Sequence, residues 1–288
     1  MKPVASLFAL TLAMLVPQAG TQPAAQQTAP PAPPQSSAPA PRRAPVPFQV
    51  GERMTYDVRF GPVKVGSGSM EVLGLEDVRG RETWHTQFKV RGGTFFYKVN
   101  DVMKSWIDTE TLSSLRYVQD FQEGGRDREK TYEIFPERRV YVEHGKEGEQ
   151  PTVSEPLDDG SFLYFVRTIP LEVGQTYVFD RYFKPDRNPV KIRVLRRERV
   201  SVPAGTFDAI VVQPIIRAKG IFSENGRAEL WLSDDSSRIM LQMKSQLSFG
   251  SLNLYLKSHR PSAPAGSAPA AAEPSASDSG TRSPGDGR

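Results

Sequence analysis

Three histidines, His85, His144 and His259, are the first residues to test for metal or acid–base chemistry. No two of them stand two or four residues apart, the spacings that place two imidazoles on one face of a strand or helix, so the sequence builds no histidine metal site. There is no cysteine. That removes disulfides, thiol nucleophiles and thiolate ligands, and with them a lipid-modified N-terminal cysteine. A serine hydrolase of the strand-to-helix type needs a Gly-x-Ser-x-Gly elbow, which is absent. Gly66-Ser67-Gly68 lacks the Gly-Lys-Ser/Thr ending and the following helix of a phosphate loop.

The acids are the remaining chemical candidates. Asp158-Asp159 precede an apolar run, where aspartate caps free backbone N–H groups and suits the helix dipole. Asp234-Asp235 sit between two strand patterns and read as turn residues. Asp57 and Asp101 lie inside strand patterns, where aspartate is disfavoured. Asp101 shares a face with Tyr97, Val99 and Met103, so a structural ion pair with a basic partner is expected there. Dispersed carboxylates of this kind leave a glycosidase-like pair open as an alternative. The other lead is aromatic: Phe95, Phe96, Tyr97, Trp106, Phe162 and Phe165. Plain core packing accounts for such a set; the sharper reading is a lined space that holds an acyl chain or another apolar ligand.

The elements that position these residues are mostly strands. Met54, Tyr56, Val58 and Phe60 alternate with polar residues, as do Trp84, Thr86, Phe88 and Val90, and later Leu115, Tyr117, Gln119 and Phe121. Turn chemistry punctuates them at Gly61-Pro62, Gly80, Gly124-Gly125, Pro203-Ala204-Gly205 and Asn225-Gly226; the last is a strong hairpin signal. Phe207 to Ile216 carries apolar residues on both faces, which predicts a strand covered on both sides. One helix is expected, over Ser161 to Ile169 behind the Asp158-Asp159 cap and stopped by Pro170. Phe162, Leu163, Phe165, Val166 and Ile169 form its apolar stripe, with Tyr164 and Arg167 elsewhere on it. A helix this short must dock on the sheet.

The ends of the chain have another composition. Met1-Lys2, the apolar run Val4–Val16 and Pro17-Gln18-Ala19-Gly20 make residues 1–20 a signal peptide. The apolar run falls short of the ~20 residues that span a bilayer. An uncleaved anchor is the alternative. Residues 21–47, with nine prolines between Thr21 and Pro47, read as an extended tether reaching on the order of 80 Å. Residues 261–288, rich in Ala, Pro, Ser and Gly, read as a second disordered tail. That leaves residues 48–260 as a single antiparallel β domain, long enough to bury a sizeable core. Within it the basic and acidic residues nearly balance, so the overall charge of +4 does not point to nucleic acid.

The stretches RVSVPAGTFDAIVVQP and AELWLSDDSSRIMLQMKSQLSFGSLNLYL resemble the bacterial family of domain of unknown function 3108. PFQVGERMTYDVRFGPVKVGSGSMEV and DDGSFLYFVRTIPLEVGQTYVF look like its first hairpin and its helix. The resemblance covers roughly Pro47 to Arg260. It implies a bacterial cell-envelope protein that is mostly β, and it supplies no catalytic residues.

The fold expected is therefore mostly β: an antiparallel, strongly curved sheet or partial barrel of about a dozen strands with one short packed helix. The function expected is that of an exported, non-enzymatic protein of the periplasm, or of the extracellular space. It would bind an apolar ligand or lipid, or assist envelope assembly. No cofactor, metal, nucleic-acid partner or transmembrane span after signal cleavage is expected. The alternative is an envelope hydrolase acting on glycan or lipid through dispersed carboxylates. Converging polar groups in a cavity would favour the hydrolase; an apolar cavity would favour binding.

Overall fold

The computed structural model describes residues 43–93, 98–217, 228–247 and 250–262. The first eight strands are β1 (Arg53–Phe60), β2 (Val63–Val78), β3 (Arg81–Gly93), β4 (Lys98–Asp108), β5 (Ser114–Glu123), β6 (Arg126–Phe135), β7 (Val140–Glu143) and β8 (Gln150–Pro151). The helix α1 (Asp159–Phe165) follows. Then come β9 (Thr176–Phe179), β10 (Val190–Val202), β11 (Gly205–Ile215), β12 (Glu229–Ser233), β13 (Met240–Leu247) and β14 (Gly250–Arg260).

All fourteen strands belong to one sheet, in the order β8-β7-β6-β5-β4-β3-β2-β1-β14-β13-β12-β11-β10-β9. Every ladder is antiparallel, and β1 lies between its sequence neighbour β2 and the far end of the chain, β14. The order would close into a ring if β8 met β9. It does not, because the chain leaves the sheet between them to form α1. The gap is spanned by other means. Leu157 makes a parallel bridge to Tyr182, the Leu157 and Phe183 amides donate across it, and the Thr152 hydroxyl donates to the Phe183 carbonyl at 2.6 Å. Both edge strands are short, which limits the unpaired ladder left open to another chain.

Curvature has a local cause at Gly66 and Gly92, which face each other in register on β2 and β3. A Cβ on Gly66 would stand 2.1 Å from the Arg91 carbonyl oxygen, and one on Gly92 would stand 2.5 Å from that of Val65. The strands approach so closely here that no side chain fits, which marks a bend in the sheet. Bulges on both sides of β1 and at Trp106/Ile107 add further twist.

The concave side holds the main core. Met54, Tyr56, Val58, Met70, Val72, Trp84 and Phe88 come from β1–β3, and Val190, Ile192, Val194, Ile210, Val212 and Leu230 from the other arm. The strand expected to be covered on both faces is so: Ile210, Val211 and Val212 are all fully buried.

α1 sits inside the sheet, not on an edge of it. Gly160 to Phe165 are all buried, including Tyr164, whose hydroxyl donates to the Glu71 carbonyl at 2.9 Å. The apolar-stripe expectation is thus too narrow, since the helix has no wet face. It is also shorter than expected. Helical bonding relaxes into turns after Phe165, with Arg167 donating to Tyr164 and Thr168 to Phe165. Pro170 disfavours helix in the residue before it. The cap is as expected: Asp158 accepts from the amides of Gly160 and Ser161, and the Ser161 hydroxyl accepts from Asp158 N–H. The Asn225-Gly226 hairpin lies outside the described residues.

Arg167 follows the helix and is buried with Glu52, their side chains 0% and 5% exposed. Nη1 and Nη2 donate to the two Glu52 oxygens at 2.7 and 2.9 Å. Nη2 also donates to the carbonyls of Pro47 and Ser237, and the guanidinium lies over Phe48. One side chain thereby joins the end of the helix, the entry to β1 and the β12–β13 turn. Removing one member strands the other charge in the core, so Glu52→Ala should cost about 3–5 kcal/mol in a urea titration. The double variant Glu52→Leu/Arg167→Met should cost less than Glu52→Ala alone. A loss below about 1 kcal/mol for Glu52→Ala would show that the pair is in effect solvated.

Candidate functional site

The strand period of two decides which residues share the concave side with the core. On β4, Ser105 touches Asp158 at the cap of α1 and Ile107 is core, so Met103, Asp101 and Val99 face the same way. On β5, Tyr117 lies opposite Ser105, so Gln119, Phe121 and Glu123 follow it. Tyr132 pairs with Tyr117, and Arg128 with Phe121. Near α1 these residues are buried; from Met103 and Gln119 outward they are half-buried or exposed. The concave side is therefore a filled core whose burial falls off along β4 and β5, a stretch we call the trough.

The floor of the trough is aromatic and polar. Tyr117 and Tyr132 stack at 5.9 Å, and Phe183 stands edge-on to Tyr132 at 5.0 Å and to Tyr141 at 5.3 Å. Asp159 accepts from the phenols of Tyr117 and Tyr182, each at 3.1 Å. Gln119 donates to the Tyr117 hydroxyl and Arg187 to that of Tyr182. Lys184 donates to the Tyr132 hydroxyl at 3.2 Å. Its ammonium lies 4.6, 5.1 and 5.8 Å from the ring centres of Tyr132, Phe183 and Tyr141, within cation–π range. Among the described residues neither Lys184 nor Arg187 has a carboxylate within ion-pair distance; both spend hydrogen bonds on phenols.

Burial governs the electrostatics of this floor. It raises the Asp159 carboxyl above its ordinary range, against the hydrogen bonds from Tyr182 and Tyr117. It lifts the phenols of Tyr117 and Tyr182 well above theirs, with the Asp159 charge adding to the effect. It lowers Lys184, and the nearby Arg187 charge lowers it further. Asp158 is pushed up to about 6 by burial, opposed by the hydrogen bonds of Ser105 and Ser161.

Higher in the trough, Asp101 lies beside Glu123 rather than beside a basic partner. The ion pair with a basic partner expected for it is not formed; the nearby Arg128 pairs instead with Glu123 at 2.6 Å. Asp101 is pushed up to about 7, by burial first and then by the charge and hydrogen bond of Glu123. A like charge beside a carboxyl favours its protonated form.

The aromatic residues singled out from the sequence are not one group. Phe162 is in the main core. Phe165 packs edge-on against Phe179 at 5.1 Å, beneath the Arg181 guanidinium. Trp106 is on the opposite, convex side, in a separate cluster with Val78 and Leu115. It stacks on His85 at 4.3 Å and donates to Glu76 at 2.6 Å. Phe95, Phe96 and Tyr97 lie outside the described residues. The residues that the sequence reading passed over are Tyr182, Phe183, Lys184 and Arg187. Their clustering beside Tyr117 and Tyr132 is a contact across the gap in the sheet, and no period within one strand reports it. Among the described residues no group of His, Asp and Glu could hold a metal ion.

The raised Asp101 carboxyl gives a test. Asp101 has a folded pKa of about 7 against an ordinary 3.8. The folded state therefore holds its proton more tightly, and the stability from that proton is full below the ordinary value and lost as pH rises through about 7. Asp101→Asn should flatten this limb. Its urea midpoint should match the wild type near pH 3.8 and exceed it above pH 7. Parallel pH profiles for the two proteins would show that Asp101 ionises normally.

The fold has relatives among solved structures. A β-barrel-like protein of the domain of unknown function DUF1849 from Brucella abortus is similar with a TM-score of 0.50 and 10% identity, over 76% of this chain and 100% of that one. A candidate lipoprotein from Parabacteroides distasonis has a TM-score of 0.33 and 12% identity, over 75% of this chain and 98% of its own. A candidate exported protein with a YmcC-like fold from Bacteroides fragilis has a TM-score of 0.27 and 13% identity, with the same coverage, 75% and 98%. At its identity the first is a likeness of fold alone, and the other two are too distant to inform this chain. No curated protein matches significantly. Residues 55–257 match the family described as protein of unknown function DUF3108, and the chain belongs to that family.

Proposed function

We propose that this is an exported, non-enzymatic binding protein of the bacterial envelope. Its ligand is amphipathic: an apolar, acyl-like body along the trough and an anionic end at Lys184 and Arg187. The observation that carries this reading is the pair of half-buried cations at the aromatic floor, hydrogen-bonded to phenols and, among the described residues, with no carboxylate in ion-pair distance, though the charge of Asp159 acts on both. Met103, Phe121 and Val99 supply half-buried apolar surface above them. Pockets that are mostly apolar with a few placed polar groups suit such ligands.

The trough does hold converging polar groups, the feature expected of a hydrolase. Their hydrogen bonds favour binding instead. Asp158 is committed to the helix cap, Asp159 to two phenols and Asp101 to Glu123.

A fluorescent fatty acid tests the reading. The wild type should bind it saturably, and Lys184→Met/Arg187→Met should weaken binding about tenfold, the loss of roughly 1.4 kcal/mol of interaction. Absence of saturable binding, or equal binding by a folded double variant, would overturn it. Export rests on the pattern of residues 1–20 and has its own measurement. N-terminal sequencing of the protein recovered from the envelope should start beyond Gly20, and retention of Met1 would make the segment an anchor.

A further inference from the structure

We infer that a groove on the convex side of the sheet, across from the trough, is a second ligand site. It takes a phosphorylated sugar or polyol.

Strand register builds the groove. Between β1 and β2, Thr55 stands opposite Ser69 and Asp57 opposite Ser67. Between β2 and β3, Ser69 stands opposite Lys89 and Ser67 opposite Arg91. The residues that alternate with these, among them Tyr56, Val58, Met70 and Phe88, are core, so both rows face outward. On the far side Thr55 stands opposite Ser258 of β14. There the register slips and Lys257 has no partner on β1. The bulge lets Lys257 line the groove beside Thr55. Three strand spacings, ~14 Å, separate β3 from β14. Lys89 and Lys257 thus converge from opposite walls on a floor of short hydroxyl side chains.

The charges of the groove do not cancel. Lys64 pairs at 2.7 Å with Asp57, the one carboxylate in the lining. Arg53 pairs at 3.3 Å with Glu71, outside it. Lys89 and Lys257 have no ion-pair partner among the described residues, and Arg91 donates to the neutral Asn100. Lys89, Arg91 and Lys257 are therefore left over. The floor adds donors. Thr55 shares a hydrogen bond with Ser258 at 2.6 Å, while the hydroxyls of Ser67 and Ser69 have no partner among the described residues.

This donor set selects the anion. Ammonium groups act as point charges and hydroxyls rotate, so together they meet the oxygens of a tetrahedral phosphoryl group from several sides. A carboxylate is planar and is matched best by a guanidinium fork. Of the two forks here, Arg53 is paired with Glu71 and Arg91 spends its Nε on Asn100. The rest of the wall selects the body of the ligand. The groove has a volume of about 370 Å³, more than a phosphoryl group fills when a water takes roughly 30 Å³. Apart from the buried Tyr56, no apolar or aromatic side chain lines it. Serine, threonine and Asp57 oxygens can accept from the hydroxyls of a polyol, whereas an acyl chain would find no surface to lie on.

Isothermal titration of the full-length protein with glucose 6-phosphate tests the assignment. The sugar phosphate should bind saturably, and more weakly as salt screens the lysines. Glucose should not bind, and gluconate, which offers a carboxylate instead, should bind about tenfold more weakly or less. Lys89→Met/Lys257→Met removes no ion pair seen in the fold and should weaken binding about tenfold. Ser67→Val/Ser69→Val keeps every charge, suits a strand and raises the floor; it should weaken binding by a similar factor. Both variants should keep the wild-type circular dichroism and the fatty-acid binding of the trough, so the two readings fail separately. No saturable binding by the wild type, or gluconate bound as tightly as glucose 6-phosphate, would overturn the assignment. Full binding by the folded valine variant would reduce the groove to a diffuse cationic surface and overturn it too. Binding to phosphatidylglycerol vesicles without binding of glucose 6-phosphate would overturn it in favour of a lipid headgroup.

Discussion

Arg167 carries a full positive charge to a place with no exposed side-chain surface, and the fold depends on how that charge is met. A charge transferred from water to an apolar interior costs several kcal/mol unless it is paired and hydrogen-bonded. Here the partners come from three distant segments: Glu52 at the start of β1, the Pro47 carbonyl before it and the Ser237 carbonyl in the β12–β13 turn. The guanidinium can be satisfied only when the helix is in place and both arms of the sheet have wrapped round it. The planar fork of arginine, matched to the two oxygens of Glu52, makes this a geometric requirement as well as an electrostatic one. A lysine at this position would meet one oxygen and leave the rest of the arrangement loose.

The other end of the helix has the opposite problem, buried negative charge. Asp158 is fully buried and caps the helix while accepting from Ser105. Asp159 accepts from two phenols at the trough floor. The seven-residue helix could not persist alone. It is held by an ion pair at its tail and a hydrogen-bond network at its head. Gly160 permits the close approach, since a Cβ there would stand 2.5 Å from the Ser105 hydroxyl. The sheet cannot complete its ring because the chain needs the gap between β8 and β9 to send this helix inward and recover it.

Sequence reasoning reads local regularities, and its successes and failures here divide along that line. The strands, the turns at Gly124-Gly125 and Asp234-Asp235, and the Asp158 cap are consequences of neighbours within a few residues. The face assignment failed where one residue was inserted. Leu115 and Tyr117 have the same parity, yet a bulge places Leu115 with Trp106 on the convex side while Tyr117 faces the core. The same parity argument could not separate Trp106 from Phe162. Arg167 gave no sign of burial because Glu52 lies 115 residues away. The trough floor combines β5 and β6 with the segment after β9, elements brought together only by the curvature of the whole sheet.

The two faces of the sheet handle charge in different ways, and this separates what is structural from what is free to act. On the convex side near β2–β6, Glu76, His85, Trp106, Arg116, Glu133 and Arg79 form a continuous chain of hydrogen bonds, ion pairs and stacking. Each member of that chain is used, so it fastens the long β2–β3 hairpin to its neighbours. Farther along the same face, beside β1, the balance changes. Cations outnumber carboxylates, and two lysines are left over. On the concave side Lys184 and Arg187 donate to phenols, with the charge of Asp159 near both. Beside these two cations Met103, Phe121 and Val99 are half-buried, and cation next to apolar surface is what an amphipathic anion requires of a protein.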